Sequence, residues 1–214
     1  FVAQQVHSIL EQLPPGGRLV VRDDGSTDRT LEVLRTIADG RIVLMAGPNL
    51  GFALSFFALL DTVGDDVDIV MLSDQDDIWL PGKILRACDS LRGKAATPAL
   101  YFSRLRLVDE NLGPIGETAH WPRGPSFENA LCENIATGCT IALNPAALKL
   151  VRQTGRVERI YFHDWWIYQV VTAFGQVVAD ENPWILYRQH CRNVVGRGPG
   201  LQRYLSNLAF MRRR

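Results

Sequence analysis

Three carboxylates follow a run of apolar residues, in the order Asp74, Asp76 and Asp77. Residues 69–72 are predicted to form a strand buried on both faces, and a helix is expected to start near Pro81, because proline is tolerated in the first helical turn. The carboxylates would then lie on a strand-to-helix turn, where open α/β sheets bind ligands. Carboxylates this close resist ionising together unless a cation, a basic partner or hydrogen bonds offset the repulsion. A divalent metal is the simplest offset, whereas a solvated turn in which Asp77 caps the next helix is the alternative.

A second acidic turn follows another predicted strand. Residues 19–21 form this strand, and Asp23 and Asp24 come after it, just before a helical pattern. Turn formation and helix capping explain part of the segment, but they do not require both carboxylates. Carboxylates at a strand end can accept hydrogen bonds from a nucleobase or a ribose, as in dinucleotide sites. We therefore expect Asp23 and Asp24 to bind a nucleoside.

A third candidate, Asp164, stands in the sequence His163-Asp164-Trp165-Trp166. The apolar spacing predicts a helix over residues 163–174, with Asp164 at or near its N-cap. Capping alone would explain an aspartate here. A carboxylate in a partly dry pocket between two tryptophans is also suited to accept a proton from a hydroxyl, with His163 as a supporting hydrogen-bond partner.

Two further segments carry polar groups beside predicted strands. Gly138 and Cys139 lead into a strand, and a glycine there allows close approach of a ligand, although a packing bend is an equal alternative. Arg188 and His190 follow the strand at residues 184–187. A lone histidine is more often structural than metal-binding. Arg188 or Arg192 could contact a diphosphate, because guanidinium groups pair with phosphate oxygens.

The remaining pattern alternates strands with helices, which predicts an α/β fold. Helices are predicted over residues 1–13 and 51–63, a strand over 41–46 and a hairpin over 100–116. No strand or Met precedes the first helix, so we expect a segment to be missing upstream. Residues 197–214 read as a glycine-proline linker and a basic amphipathic helix, which either packs on its own domain or lies on an anionic membrane surface.

The composition of the chain narrows the class of protein. With 214 residues, 47% of them hydrophobic and 21% charged, the chain is expected to form one globular domain over residues 1–196. Lys plus Arg equals Asp plus Glu at 23 each, so no global charge field attracts nucleic acid. The four cysteines show no Cys-x-x-Cys spacing, which favours reduced thiols and a cytoplasmic chain. The tail helix adds the prospect of a peripheral position at the inner face of a membrane.

Taken together, the motifs resemble family 2 glycosyltransferases, especially the rhamnosyltransferase-like branch. The resemblance rests on Asp-Asp-Gly-Ser-Thr-Asp from residue 23, Asn-Leu-Gly-Phe from residue 49, Ser-Asp-Gln-Asp-Asp-Ile-Trp from residue 73 and His-Asp-Trp-Trp from residue 163. It implies a GT-A fold with a mixed, mostly parallel sheet flanked by helices, whose first strand is missing here. It also implies an inverting reaction from a nucleoside diphosphate-sugar donor to a glycan or lipid-linked acceptor, as in assembly of cell-surface polysaccharide.

The resemblance also implies roles for individual residues. Asp76 would bind Mg²⁺ or Mn²⁺ directly, Asp74 would contact the nucleotide, and His190 would complete the metal site. Asp164 would be the catalytic base. The substrate pocket would be lined by six residues, namely Gly138, Cys139, His163, Trp165, Trp166 and Arg188. Processive synthases carry Gln-x-x-Arg-Trp, whereas Asn193 replaces the tryptophan here, which argues against processive synthesis.

Two other classes of protein are alternatives. A phosphatase with an aspartyl nucleophile also places Asp-x-Asp after a buried strand, but the residues after Asp76 do not follow its pattern. A non-catalytic module that binds nucleotide sugars is the second alternative. Donor hydrolysis with and without metal would separate these classes from a transferase.

Overall fold

The computed structural model describes residues 1–154, 160–190 and 193. The helices in this part of the chain are α1 (Val2–Leu10), α2 (Thr30–Thr36), α3 (Phe52–Thr62), α4 (Lys83–Leu91), α5 (Phe127–Cys132), α6 (Pro145–Gln153) and α7 (His163–Phe174). The strands are β1 (Leu19–Asp23), β2 (Ile42–Ala46), β3 (Val70–Met71), β4 (Ile78–Trp79), β5 (Ala99–Val108), β6 (Pro114–Glu117), β7 (Ala142–Leu143) and β8 (Gln176–Arg188). Arg192 and the predicted tail helix lie outside the described residues.

The strands form two sheets. β1 and β2 pair in parallel, and a second sheet has the order β3-β7-β5-β8-β4, with β6 pairing on β5. β5 and β8 pair in parallel along most of β5, whereas the pairings of β3, β4, β6 and β7 are short and antiparallel. The predicted α/β class and the mixed sheet are confirmed, although the parallel character comes from only two of the described pairings.

The largest apolar cluster fixes α7 against the second sheet. Leu100 and Phe102 of β5 are fully buried with Ile141, and they pack with Ile167 and Tyr168 of α7. Burying side chains of this size contributes roughly 1.5–3 kcal/mol each. The packing therefore sets where the first turn of α7, which carries Asp164, meets the sheet.

The segment after the predicted metal turn differs from expectation. The predicted strand over residues 69–72 shortens to the half-buried β3, because it is the edge strand of its sheet rather than a strand buried on both faces. The chain then folds back as β4, which was not predicted and which pairs with β8. The next helix begins at Lys83 rather than at Pro81, since Gly82 before it takes a left-handed conformation with φ of 89°.

Among the described residues, no helix combines the length and the apolar character that a membrane span requires. Cys88, Cys132 and Cys139 are free thiols, and Cys191 lies outside the described residues.

Candidate active site

The acidic turn, residues 74–77, connects β3 to β4 and points into the protein. Asp76 is 7% exposed and Asp77 is 1% exposed, whereas Asp74 is half-buried. Asp77 Oδ1 accepts a hydrogen bond of 3.0 Å from the backbone N–H of Arg188. Because Asp77 is bound to the end of β8 and α4 begins six residues later, the alternative of a solvated helix cap is wrong.

Asp76 meets His190 at the end of β8. The distance between Asp76 Oδ2 and His190 Nε2 is 2.8 Å. The imidazole also stacks on the ring of Phe1, with 5.1 Å between the ring centroids and 27° between the planes. The structure thus brings together the two residues that were predicted to bind metal.

Crowding of carboxylates makes the acidic turn costly to ionise. Burial, and then the charges of Asp76 and Asp164, raise the pKa of Asp74 to about 7. Burial and the neighbouring charges also raise the pKa of Asp77 well above its ordinary value. A cation beside Asp76 would lower this cost. Carboxylate oxygens with one imidazole are donors that suit Mg²⁺ or Mn²⁺, so the residues present fit such an ion.

A second group could also be considered for metal, since ligand atoms of Asp74, Asp77 and Cys139 lie within 4.8 Å of one another. Lys83 argues against it. Its fully buried ammonium interacts electrostatically with Asp77 and Cys139, and burial lowers its pKa only to about 8, so the charge is largely present at neutral pH. Cys139 would offer sulfur, a soft ligand, whereas Mg²⁺ and Mn²⁺ prefer oxygen donors. We therefore favour the side of the turn occupied by Asp76 and His190.

Cys139 was predicted to line the substrate pocket, and this prediction is wrong. Its side chain is fully buried and faces Asp77 behind the acidic turn, so it offers no surface to a ligand. The preceding residue, Gly138, contacts Asp164 instead, because its backbone N–H donates a hydrogen bond of 3.0 Å to Asp164 Oδ2. The turn Gly138–Thr140 therefore lies between the acidic turn and Asp164.

Asp164 lies in the first turn of α7 but does not cap it. The N-cap is Phe162, and Asp164 Oδ1 accepts from the backbone N–H of Trp165 at 2.8 Å. With Gly138 on the other oxygen, two backbone N–H groups fix the orientation of the carboxylate. The residue after Gly138, Cys139, has its Sγ atom within 4.8 Å of carboxylate oxygens of Asp74 and Asp77 in the acidic turn. The candidate base and the acidic turn therefore belong to one site.

His163 does not support Asp164 through a hydrogen bond, contrary to the prediction. Its ring is 4% exposed and stacks on Phe56 at 4.0 Å, and neither ring nitrogen has a hydrogen-bond partner in the described part of the chain. Burial lowers its pKa, so the imidazole is neutral. A Cβ on Gly138 would lie 2.9 Å from His163 Nε2. The stacked imidazole therefore requires glycine at position 138.

The two tryptophans after Asp164 anchor α7 to its neighbours. The Trp165 indole N–H donates to the carbonyl of Ala130 at 2.6 Å, and that of Trp166 donates to Thr154 Oγ1 at 3.3 Å. Both rings are half-buried. Any contact of these residues with substrate must therefore use their apolar faces rather than the indole N–H groups.

The second acidic turn divides its two carboxylates between different tasks. Asp24 forms an ion pair with Arg22 and accepts hydrogen bonds from the N–H groups of Leu50 and Gly51, both at 2.9 Å. Burial alone would raise the pKa of Asp24, but these hydrogen bonds leave it below the ordinary value. Asp23 is buried, and its Oδ1 atom has no hydrogen-bond partner among the described residues. Asp24 therefore holds the loop at residues 49–51, while Asp23 keeps a free acceptor.

Arg188 is not free to contact a diphosphate, contrary to the prediction. The residue is 2% exposed, and each of its three guanidinium nitrogens donates to a protein acceptor. Sequence reasoning could not show that Arg188 binds protein acceptors, because these acceptors come from distant segments of the chain.

The sequence matches a known family. Residues 1–146 match the family described as Glycosyl transferase family 2. The chain is also 25% identical to RfbG of Shigella flexneri, a dTDP-rhamnosyl transferase, in an alignment that covers 99% of this chain and 76% of RfbG. This match confirms the resemblance to the rhamnosyltransferase-like branch.

Solved structures share the fold. S. aureus TarS, residues 1–349 in complex with UDP-GlcNAc, matches with a TM-score of 0.64 and 13% identity over 98% of this chain and 61% of that 1–349 chain. The mannosyltransferase PcManGT from Pyrobaculum calidifontis, in complex with GDP-Man and Mn²⁺, matches with a TM-score of 0.65 and 17% identity over 100% of this chain and 60% of its own. The chain thus spans about three-fifths of these two structures.

Likeness at this level of identity establishes the fold, and the predicted GT-A fold is confirmed. Since the family match covers more than half of the sequence, the chain belongs to glycosyl transferase family 2.

Proposed function

We propose that this chain carries the active site of an inverting, metal-dependent glycosyltransferase, which moves a sugar from a nucleoside diphosphate donor to an acceptor hydroxyl. The observation that carries the proposal is the convergence of the Asp76–His190 pair with Asp164, through the intervening turn Gly138–Thr140. A metal-site candidate and a fixed carboxylate are the two parts that such a transfer needs.

The donor side uses both acidic turns. Asp76 and His190 would hold Mg²⁺ or Mn²⁺, with Asp74 next to them as a contact for the nucleotide. The bound ion would neutralise the negative charge that develops on the leaving diphosphate. Asp23 would accept a hydrogen bond from the nucleoside once its buried Oδ1 atom, which has no partner among the described residues, is uncovered, and Asp24 would support it by fixing the loop beside it.

The acceptor side uses Asp164 as the general base. Its carboxylate would accept the proton of the acceptor hydroxyl as the hydroxyl oxygen bonds to the anomeric carbon and the bond to the diphosphate breaks. The N–H groups of Gly138 and Trp165 would keep the carboxylate aimed during the step. A general base typically contributes on the order of 10²–10⁴-fold to a rate, and we expect a contribution in this range from Asp164.

The similar proteins suggest which substrates to test first. RfbG is a dTDP-rhamnosyl transferase, and the two solved structures contain UDP-GlcNAc and GDP-Man. We infer that dTDP-rhamnose is the first donor to screen, with UDP and GDP sugars next. Glycan and lipid-linked acceptors of cell-surface polysaccharide assembly, used without processive synthesis, complete the proposal.

The test is donor hydrolysis and transfer by the full-length protein, with and without Mn²⁺. A transferase should release nucleoside diphosphate only when the metal is present, and faster with an acceptor. Binding without release would favour a non-catalytic nucleotide-sugar module. Release of inorganic phosphate from a phosphoester would favour the phosphatase class.

A further inference from the structure

Arg188 lies two residues before His190, at the end of β8, and it is bound to the acidic turn in two ways. Its backbone N–H donates to Asp77 Oδ1 at 3.0 Å, and its Nε atom donates to the backbone carbonyl of Asp76 at 2.8 Å. Arg188, two residues before His190, is thereby hydrogen-bonded to the backbone of Asp76, the other predicted metal ligand.

The rest of the guanidinium group reaches two more segments. Nη1 donates to the backbone carbonyl of Glu110, in the turn between β5 and β6, at 2.5 Å. Nη2 donates to Gln4 Oε1 in α1 at 2.8 Å, and Cζ lies 4.4 Å from the centroid of the Phe1 ring. Phe1 also stacks on His190, so the same aromatic ring contacts the guanidinium and the imidazole.

The physical chemistry of a buried guanidinium makes this arrangement rigid. A charged group that is removed from water is tolerated only when its donors are satisfied, and here every guanidinium nitrogen has an acceptor. The fork of an arginine is planar, so its acceptors must lie in fixed directions, whereas a lysine ammonium could serve only part of them. Because Arg188 is only 2% exposed, a phosphate could reach its guanidinium only after the surrounding residues had moved.

We propose that Arg188 is a positioning residue, which holds Asp76 and His190 at the separation that a divalent cation needs. The inference rests on the proposed function, because it assumes that these two side chains bind the ion. It assigns Arg188 to the geometry of the metal pair and not to the diphosphate.

The experiment compares Arg188→Lys with wild type in the full-length protein, by calorimetry with Mn²⁺ and with a nucleoside diphosphate. We expect Mn²⁺ affinity to fall about 10 to 100-fold, the range for residues that orient metal ligands. Affinity for the nucleoside diphosphate without metal should stay at the wild-type value. A loss of metal-free nucleotide affinity would overturn the inference in favour of a diphosphate contact, and unchanged Mn²⁺ affinity would also overturn it.

Arg104→Lys is the matched control, because Arg104 is also buried and donates to backbone carbonyls, those of Thr118 and Glu181. It should lower the melting temperature without weakening Mn²⁺ binding. If both variants weakened Mn²⁺ binding equally, the effect of Arg188→Lys would reflect a general loss of stability, and the inference would be wrong.

Gln4→Leu covers the case in which Arg188→Lys does not fold, since it removes only the acceptor of Nη2. We expect weaker Mn²⁺ binding and a modestly lower melting temperature, because the buried Nη2 loses its acceptor, and unchanged Mn²⁺ affinity would overturn the inference. A wild-type protein that binds nucleotide sugar but no Mn²⁺ would instead overturn the metal-dependent function, and the inference with it.

Discussion

The Nε2 atom of His190 lies 2.8 Å from Oδ2 of Asp76, although 114 residues separate the two in sequence. This contact forms because β8 pairs with β4, which follows the acidic turn directly, so that the end of one strand is brought to the start of the other. The same pairing places Arg188 beside Asp77. The site thus depends on a strand of only two residues.

Replacing Asp76 with alanine should abolish metal-dependent binding of a nucleoside diphosphate, because the ion would lose its nearest carboxylate. Calorimetry with and without Mn²⁺ measures the effect. Asp66→Ala, which removes the same charge from an exposed loop position, should bind like wild type. Unchanged metal-dependent affinity in the Asp76 variant would exclude this residue as a ligand.

Replacing His190 with alanine should weaken Mn²⁺ affinity by about 10 to 100-fold, a scale borrowed from the loss of residues that hydrogen-bond to metal ligands. The fold should survive, because the described contacts of the imidazole are with Asp76 and with the half-exposed ring of Phe1. Circular dichroism on the same sample provides the check. Lost folding with normal Mn²⁺ binding by the remaining native protein would show that His190 is structural.

Much of the fold could be predicted because local patterns determine it. The helix predicted over residues 163–174 has the same first and last residues as α7. The strand predicted over 41–46 and the hairpin predicted at 100–116 are also present. What could not be predicted depends on distant pairing. β4 is two residues long and exists through its contact with β8, and the first half of β8 carries too many polar residues to read as a strand.

The candidate site shows the same division. Asp76, His190 and Asp164 could be named from residue type, spacing and family resemblance. The structure places His190 against Asp76 and connects Asp164 to the acidic turn through Gly138 and Cys139. The role of Arg188 could not be named in this way, because its partner Gln4 lies 184 residues away. Burial of Cys139 was equally hidden, since a small residue in a loop is compatible with either a pocket or a core.

Replacing Gly138 with alanine should lower glycosyl transfer by about 10²-fold, because a shift of roughly 1 Å in a catalytic group can cost that much. The added Cβ would meet His163 Nε2 at 2.9 Å, and the imidazole is held by Phe56, so the backbone that orients Asp164 must move. Gly40→Ala is the control, since a Cβ there meets open space. Equal turnover in the two variants would show that the turn tolerates the methyl group.

Stability at acid pH should depend on Asp180 in β8. Its carboxylate is buried and accepts hydrogen bonds from Arg86 at 2.6 Å, Tyr101 at 3.0 Å and Trp184 at 2.9 Å. Burial opposes its ionisation, but these donors outweigh burial and lower the pKa from 3.8 to about 2. A lowered pKa means that the ionised group stabilises the fold above pH 4, by about 2 kcal/mol, and that this is lost as the pH falls towards 2.

Urea unfolding of wild type and Asp180→Asn between pH 6 and pH 3 tests this dependence. The difference in the free energy of unfolding between the two proteins should be largest near pH 6 and should shrink as the pH falls. A difference that stays constant over this range would mean that the ionised carboxylate contributes no more than its neutral amide.

The prediction that tests the mechanism most directly is Asp164→Asn in the full-length enzyme. Glycosyl transfer should fall by on the order of 10² to 10⁴, the range for a lost general base, while donor binding stays near normal. Asparagine has one acceptor oxygen instead of two, so it cannot serve both the Gly138 and the Trp165 N–H groups. We therefore expect the melting temperature to drop slightly, by an amount that reflects about 1 kcal/mol for one lost hydrogen bond.

This small loss of stability cannot by itself imitate the loss of a base. A domain stabilised by roughly 5–15 kcal/mol remains almost entirely folded after losing about 1 kcal/mol, so the folded fraction would hardly change at the assay temperature. Turnover, donor affinity and melting temperature should be measured on one preparation. Turnover within a few-fold of wild type in Asp164→Asn would leave Asp164 as a purely structural link between α7 and Gly138, and another group would have to accept the proton.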